Sequence, residues 1–115
     1  ENVGNYCLIK TANSKSSYQI FADMDDNYLF NSADILIEEI NLSKGIEFAS
    51  AFDNTVPTGV CIERQKVAMS ACSIGGVFCG NGSVIFGLVG EKTGKQIDFD
   101  YNLTTYLILK TEHLD

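Results

Sequence analysis

Hydrophobic and polar residues alternate along much of the chain, and a period of two is typical of β-strands. In the segment 45–52, Ile46, Phe48 and Phe52 fall on one face, while Glu47 lies on the other. Other segments show the same alternation or are short apolar runs rich in β-forming residues. Together they predict strands over 5–10, 18–22, 45–52, 83–89, 95–101 and 104–110.

The last three of these runs are separated by short connections at 90–94 and 102–103. Because short connections join antiparallel neighbours, the sequence predicts a three-stranded antiparallel meander over 83–110. Phe86 and Phe99 belong to the runs with the strongest strand character, so both are predicted to lie in the core. The fold class that follows is mainly β, built on an antiparallel sheet.

Two stretches do not fit one simple pattern. Residues 32–42 are compatible with a helix that has a polar cap, and equally with a strand. The stretch 57–82 is irregular, with five glycines and three cysteines. Within it, the short apolar runs 60–62 and 77–78 predict edge strands.

The four cysteines, Cys7, Cys61, Cys72 and Cys79, lack the two-residue gap of a zinc or redox motif. An even number in a small acidic domain predicts two disulfides. Four cysteines allow three pairings. We favour Cys72–Cys79 as a local link, which leaves Cys7–Cys61 as the long-range one. Disulfides imply a periplasmic or extracellular compartment.

The charge balance and the apolar runs exclude several classes of partner. Fifteen acidic residues against eight basic ones give a formal net charge of −7, and the basic residues are scattered, which argues against nucleic acid as a partner. No apolar run approaches the ~18 residues that a membrane span needs. The polar start at 1–5 lacks the features of a signal peptide. We therefore expect a soluble fragment or a processed product that forms one domain over 1–115.

Four segments, taken in order, resemble a known family. They are "SYQIFADMDDN", "DILIEEINLSKGIEF", "GSVIFGLVGEKTGKQIDFD" and "TTYLILK". This ordered set resembles the globular domain of minor pseudopilins of the GspH/FimT type, which occur in type II secretion systems and type IV pili. The matching positions are 18–27, 40–48, 84–94 and 97–109.

This resemblance implies a pilin-like head domain, which is α+β in the full-length family. It also implies a structural subunit of an extracellular or periplasmic pilus-like filament or secretion pseudopilus. Its partners would be other pilin or pseudopilin subunits, joined through an apolar N-terminal helix. The start of this chain carries no prepilin motif, so that helix is expected to have been removed or to be a separate chain. The alternatives are a helix-less head that docks on a helical subunit, and a free secreted binding or adhesin module.

One acidic segment has the beginning of a calcium loop. Asp23, Asp25 and Asn27 offer oxygens at alternate positions, but the EF-hand positions for glycine and glutamate hold Tyr28 and Asp34. The segment is expected to be a solvated turn. An irregular calcium site is the alternative, because some pseudopilins that this chain resembles bind calcium.

Two aromatic residues follow the acidic segment. Tyr28 and Phe30 lie outside the predicted strands and are the candidates for an exposed contact with a partner.

The sequence offers no constellation of catalytic residues. Ser73 and Ser83 lie outside a Gly-x-Ser-x-Gly motif, and the single histidine, His113, is close to the end of the chain. The glycine pairs are not followed by the lysine of a phosphate-binding loop. The sequence therefore predicts a protein that is not an enzyme and that needs no cofactor.

Overall fold

Two β-sheets and a short helix make up the part of the chain that the computed structural model describes, which is residues 5–49, 58–63, 73–74, 76–79 and 82–109. At 63, 73–74 and 76–79 the description covers the backbone alone. The first five strands are β1 (Asn5–Lys10), β2 (Ser17–Asp23), β3 (Ile35–Asn41), β4 (Ile46–Phe48) and β5 (Thr58–Glu63). They are followed by β6 (Ser73–Ile74), β7 (Gly76–Cys79), β8 (Ser83–Gly90), β9 (Gln96–Asn102) and helix α1 (Leu103–Leu109).

The larger sheet has the strand order β3-β2-β1-β5-β7-β6. Its pairs are antiparallel except β5 with β7, which is parallel. Strand β1 lies between two neighbours and is buried along its whole length, because its side chains are apolar on both faces over most of that length. Strand β5 lies between β1 and β7, and β7 lies between β5 and β6, so the prediction that the runs 60–62 and 77–78 form edge strands is wrong for both.

A disulfide joins two neighbouring strands of this sheet. Cys7 of β1 and Cys61 of β5 face each other in the antiparallel register, with their Cα atoms 4.1 Å apart. Both residues are fully buried. The predicted Cys7–Cys61 bond is thereby confirmed.

The smaller sheet has the order β4-β8-β9. The antiparallel pairing of β8 with β9 runs from Ser83 opposite Asn102 to Val89 opposite Gln96, as the sequence predicts. The predicted third strand of the meander is wrong, because residues 103–109 form helix α1 instead. Strand β4 takes the third place in the sheet.

Helix α1 forms because its start is capped and its apolar residues recur at helical spacing. The side-chain oxygen of Asn102 accepts a hydrogen bond from the amide of Thr105, at 2.7 Å, as an N-cap residue does. Leu103 and Leu107, four residues apart, lie on one face of the helix and are both buried. No helix in the described ranges has the length and apolar character that crossing a membrane requires.

The core lies between the two sheets and is completed by α1. Its buried members are Tyr6, Leu8, Tyr18, Ile20, Ala22, Phe48, Val60, Phe86, Leu88, Leu103 and Leu107. Phe86 is fully buried, which confirms its predicted place in the core. Phe99 was predicted there as well, but half of it is exposed. It faces the same side as Phe86, yet β9 is the outermost strand of its sheet, so its side chain reaches beyond the cover that β2 provides.

The structure also resolves the ambiguous stretch 32–42. Strand β3 occupies most of it and pairs with β2, with a register irregularity between Ile20 and Phe21. The connection from β2 to β3 spans residues 24–34, and we call it the acidic loop. It holds Asp25 and Asn27 and follows directly on Asp23, and these are the three residues for which the sequence offers an irregular calcium site.

Candidate functional site

The acidic loop is closed at its base by a carboxylate. Because β2 and β3 are antiparallel, the residue after β2 and the residue before β3 lie side by side. Asp34 accepts hydrogen bonds from the amide of Met24, at 2.8 Å, and from the amide of Asn31, at 3.0 Å. Asp34 therefore ties together the two ends of the loop.

Asp23, the last residue of β2, lies fully buried beneath this loop. Its Oδ2 atom accepts hydrogen bonds from Nδ2 of Asn5, at 2.8 Å, and from the amide of Tyr28, at 2.9 Å. Asn5 is its cross-strand partner in β1 and also donates to Oδ1 of Asp26, at 2.7 Å. The buried carboxyl group thus organises the turn and links it to the central strand.

The surroundings of two neighbouring carboxyl groups, Asp23 and Asp25, shift their pKa values in opposite directions. Burial, together with the neighbouring Asp25 and Asp34, raises the pKa of Asp23 to about 6, against the opposing hydrogen bonds from Asn5 and Asn27. The side-chain amide of Asn31 donates to Asp25 at 2.8 Å and lowers the pKa of that exposed carboxyl group. When Asp23 and Asp25 share one proton, Asp23 holds it.

The structure brings three carboxylates together, and they are not the predicted set. One oxygen each from Asp23, Asp25 and Asp34 lie within 4.8 Å of one another. Asn27 was predicted in the place of Asp34, but its side-chain oxygen accepts a hydrogen bond from the amide of Leu29, at 3.0 Å. Carboxylate oxygens are the ligands that Ca²⁺ prefers. Because Ca²⁺ takes six to eight ligands, these three would form about half of a coordination shell.

Sequence analysis missed Asp34 because its position depends on the pairing of β2 with β3. The stretch that contains β3 was compatible with either a helix or a strand, and a helix would have carried Asp34 away from Asp23. A strand assignment for 35–41 is the signal that brings the two residues together.

The two predicted contact residues have different environments. Tyr28 was expected to be exposed, but it is only 7% exposed and lies in a buried cluster with Phe21 and the Cys7–Cys61 disulfide. Its backbone is in the left-handed region, with φ +64°, held by the hydrogen bond to Asp23. Phe30 is 40% exposed and contacts the ring of Phe21 edge-on at 5.3 Å. Phe30 therefore keeps the surface position expected of a contact residue, whereas Tyr28 does not.

The second predicted disulfide cannot be placed among the described residues. Cys72 lies outside them, and Cys79 is described by its backbone alone, opposite Cys61 in the parallel pair of β5 and β7. His113 also lies outside the described residues.

Large apolar side chains are exposed on three elements other than the acidic loop. They are Ile35 and Leu36 on β3, Ile85, Ile97 and Phe99 on the β8–β9 hairpin, and Ile108 and Leu109 on α1. Alternation along a strand predicts which residues share a face, but not whether another element covers that face. Comparison of the chain with protein-family models, with curated proteins and with solved structures gave no match.

Proposed function

We propose that this chain is the head of a structural subunit in an extracellular or periplasmic filament of the type IV pilus or type II secretion pseudopilus class. Its partners are other subunits of the same filament. The subunits are held together by an apolar helix that packs on the head. The role is structural rather than catalytic.

The observation that carries this proposal is an exposed apolar surface at the end of the larger sheet where β1 begins. Ile35 is opposite Ala22 in the pairing of β3 with β2, one position from the pair of Asn5 with Asp23. It is 54% exposed, although Ala22 on the same face is buried.

Helix α1 carries further exposed apolar side chains, and one of its residues contacts β3. The hydroxyl group of Tyr106 donates a hydrogen bond to Glu38 of β3, so the second half of α1 lies beside that strand. The end of α1 exposes Ile108 by 58% and Leu109 by 77%. We call Ile35, Ile108 and Leu109 the apolar end, and we infer that they form one surface for the helix.

A helix that packs on the apolar end explains why these side chains are apolar. Fully burying an isoleucine or leucine side chain contributes about 1.5–3 kcal/mol, so three such residues would supply several kcal/mol of docking free energy. In the family that this sequence resembles, an apolar helix leads directly into the head. Such a helix would arrive where β1 begins, beside the apolar end.

The Cys7–Cys61 disulfide supports the proposed location. Disulfides form and persist in the periplasm and outside the cell, and they are rare in the cytosol. The head domain of an exported filament subunit would fold in such a compartment.

Two alternatives share part of this argument. A helix-less head would use the same apolar end to dock on a separate helical pilin subunit. A free secreted binding or adhesin module would have no helix to receive. The coding sequence upstream of residue 1 distinguishes these, because a prepilin helix there favours the filament subunit.

The test is assembly of the full gene product in its own cell. Ile35→Lys and Ile108→Lys place a charge on the apolar end, and each should abolish or sharply reduce filaments seen by electron microscopy. Ile85→Lys is the matched control, because Ile85 is equally exposed, at 61%, but lies on the outer face of the smaller sheet.

The outcomes separate the candidates. Loss of filaments with the first two variants and not with the control supports a subunit whose apolar end receives a helix. Co-purification of a short apolar partner that Ile35→Lys releases supports the helix-less head. Secretion of a free, monomeric product from a cell without filaments contradicts the proposal and leaves the binding module.

A further inference from the structure

Strand β9 is an edge strand. Its seven residues pair with β8 along one side, and within the described ranges no strand pairs with its other side. All seven side chains are at least partly exposed. An edge of this kind presents unpaired backbone N–H and C=O groups that another strand can bind.

The two faces of β9 differ sharply in chemistry. Ile97 and Phe99 point to one face and are 65% and 50% exposed, respectively. Asp98 and Asp100 point to the other face. The pairing with β8 has no register irregularity, so this alternation is regular along the strand.

We propose that the free edge of β9 is a docking site for an extended segment of another protein in which basic and apolar residues alternate. The segment adds to the sheet as a fourth strand through backbone hydrogen bonds. Its apolar residues lie beside Ile97 and Phe99, and its lysines or arginines lie beside Asp98 and Asp100. The backbone supplies affinity and the alternating side chains supply selectivity.

Charge argues against a second copy of this chain as the occupant. Two β9 strands paired antiparallel about Phe99 would set Asp98 of one against Asp100 of the other. Like charges directly opposite each other in a sheet are destabilising, and the net charge of −7 adds repulsion between copies. The same carboxylates attract a basic partner strand, so the edge discourages self-association and remains open to a partner of opposite charge.

The other exposed strand with apolar residues, β3, is less suited to this role. Its pairing with β2 is interrupted by the irregularity at Ile20 and Phe21, and such irregularities blunt an edge. Its acids also bind to other elements, since Glu38 accepts a hydrogen bond from Tyr106 of α1 and Glu39 accepts one from Gln19 of β2, whereas Asp98 accepts one from Gln96 of its own strand. The docking site on β9 rests on that strand alone and is independent of the filament role.

The probe is a synthetic peptide of ~9 residues in which lysine and valine alternate, which is long enough to pair with the whole of β9. A second peptide has proline at the two middle valines. It keeps every charge but loses backbone donors, so it cannot pair along the strand. Binding is measured by fluorescence anisotropy, and the site is located by amide chemical shifts. We expect at least about tenfold tighter binding of the alternating peptide, which corresponds to about 1.4 kcal/mol, with shifts concentrated in 96–102.

Charge-reversal variants test the acidic face. Asp98→Lys and, separately, Asp100→Lys should each weaken binding of the lysine peptide by at least about fivefold, and should improve binding of a glutamate–valine peptide. Glu39→Lys on β3 is the matched control, because it makes the same change of net charge at an exposed site on another edge strand. It should change the affinity by less than about twofold.

Three results would overturn the proposal. The first is equal affinity for the proline peptide, which would show a purely electrostatic attraction to an acidic protein. The second is an equal loss of affinity in Glu39→Lys. The third is a concentration-dependent dimer of the chain alone that Phe99→Ser abolishes, which would identify a second copy as the occupant of β9.

Discussion

At the scale of single residues, the buried carboxyl group of Asp23 makes stability depend on pH. Its pKa is raised to about 6 in the fold, against about 3.9 in an unfolded chain. The folded state therefore binds the proton more tightly. This contribution to stability is complete below about pH 4 and is lost as the pH rises through 6.

We predict that Asp23→Asn removes this pH dependence. The amide keeps an oxygen for Asn5 and Tyr28 and carries no charge. The variant should gain stability relative to the wild type between pH 4.5 and pH 7, by on the order of 2 kcal/mol. Urea unfolding at both pH values, in buffer with a chelator that removes divalent cations, measures the difference. Asp98→Asn, on the exposed edge, controls for the loss of one charge. An identical effect of Asp23→Asn at both pH values would contradict the prediction.

Phe86 and Phe99 form a matched pair of residues on the same face of the same hairpin. They are directly opposite in register, but Phe86 is fully buried, whereas half of Phe99 is exposed. We predict that Phe86→Ala costs about 3–5 kcal/mol of unfolding free energy and Phe99→Ala about 1 kcal/mol or less. Chemical denaturation measures both. Equal losses of unfolding free energy would mean that Phe99 is buried as fully as Phe86.

This pair shows what the sequence can predict at this scale. Alternation assigned both residues to the core-facing side of their strands, and that assignment agrees with the register. Whether the face is covered depends on where the opposite sheet ends. Tyr18 of β2 contacts Tyr101 of β9, with ring centroids 4.5 Å apart, but that cover does not extend to Phe99. The limit is set by long-range packing, which leaves no local signal in β9.

At the scale of elements, α1 shows how a local signal can be hidden by a stronger one. Residues 104–110 are rich in β-branched and aromatic residues, which favour a strand. The cap at Asn102 and the spacing of Leu103 and Leu107 favour a helix, and burial of those two leucines decides the outcome. The place of Asp34 in the carboxylate cluster was missed for a related reason, because Asp34 lies close to Asp23 only if 35–41 is a strand.

The junction between β7 and β8 depends on a glycine. Gly82 has φ +88°, and its carbonyl oxygen accepts a hydrogen bond from the amide of Leu103, the first residue of α1, at 2.6 Å. An added Cβ would lie 2.1 Å from the hydroxyl oxygen of Thr104 and 3.2 Å from Ile62. A side chain there is both strained and crowded.

We predict that Gly82→Ala is far more destabilising than Gly94→Ala. Gly94 also has a positive φ, +69°, but an added Cβ would meet nothing within 4 Å. Gly94→Ala therefore costs only the left-handed strain, about 1–2 kcal/mol, while Gly82→Ala adds overpacking of about 1–3 kcal/mol. Thermal unfolding followed by circular dichroism compares the two variants. Similar melting temperatures would show that Thr104 moves aside without cost.

At the scale of the whole molecule, the Cys7–Cys61 disulfide closes a loop with a sequence separation of 54. In the chain-entropy model, a loop of that length contributes about 3–4 kcal/mol by restricting the unfolded state. We predict that Cys7→Ala with Cys61→Ala lowers the unfolding free energy by about that amount, which chemical denaturation measures.

We also predict that all four cysteines are oxidised. Thiol titration of the denatured wild type should find almost no free thiols, and mass spectrometry of a non-reduced digest should find Cys72 joined to Cys79. Four free thiols would contradict the prediction of two disulfides.

The way in which the molecule assembles follows from where its apolar and charged surfaces lie. The apolar end offers three side chains, which is a small contact, and the open edge of β9 carries carboxylates that repel a second copy. The net charge of −7 adds repulsion between identical heads, screened beyond about 8–10 Å at physiological salt.

We therefore predict that residues 1–115 alone are monomeric at micromolar concentration. Polymer should form only when an apolar helix is supplied, either fused to the head or as a separate chain. Sedimentation and electron microscopy measure both states, with Ile35→Lys as the variant that should block the helix-dependent polymer. Ordered filaments of the isolated chain would contradict helix dependence and would indicate assembly through strand edges such as those of β3 and β9, because an edge strand can repeat the same pairing from one copy to the next.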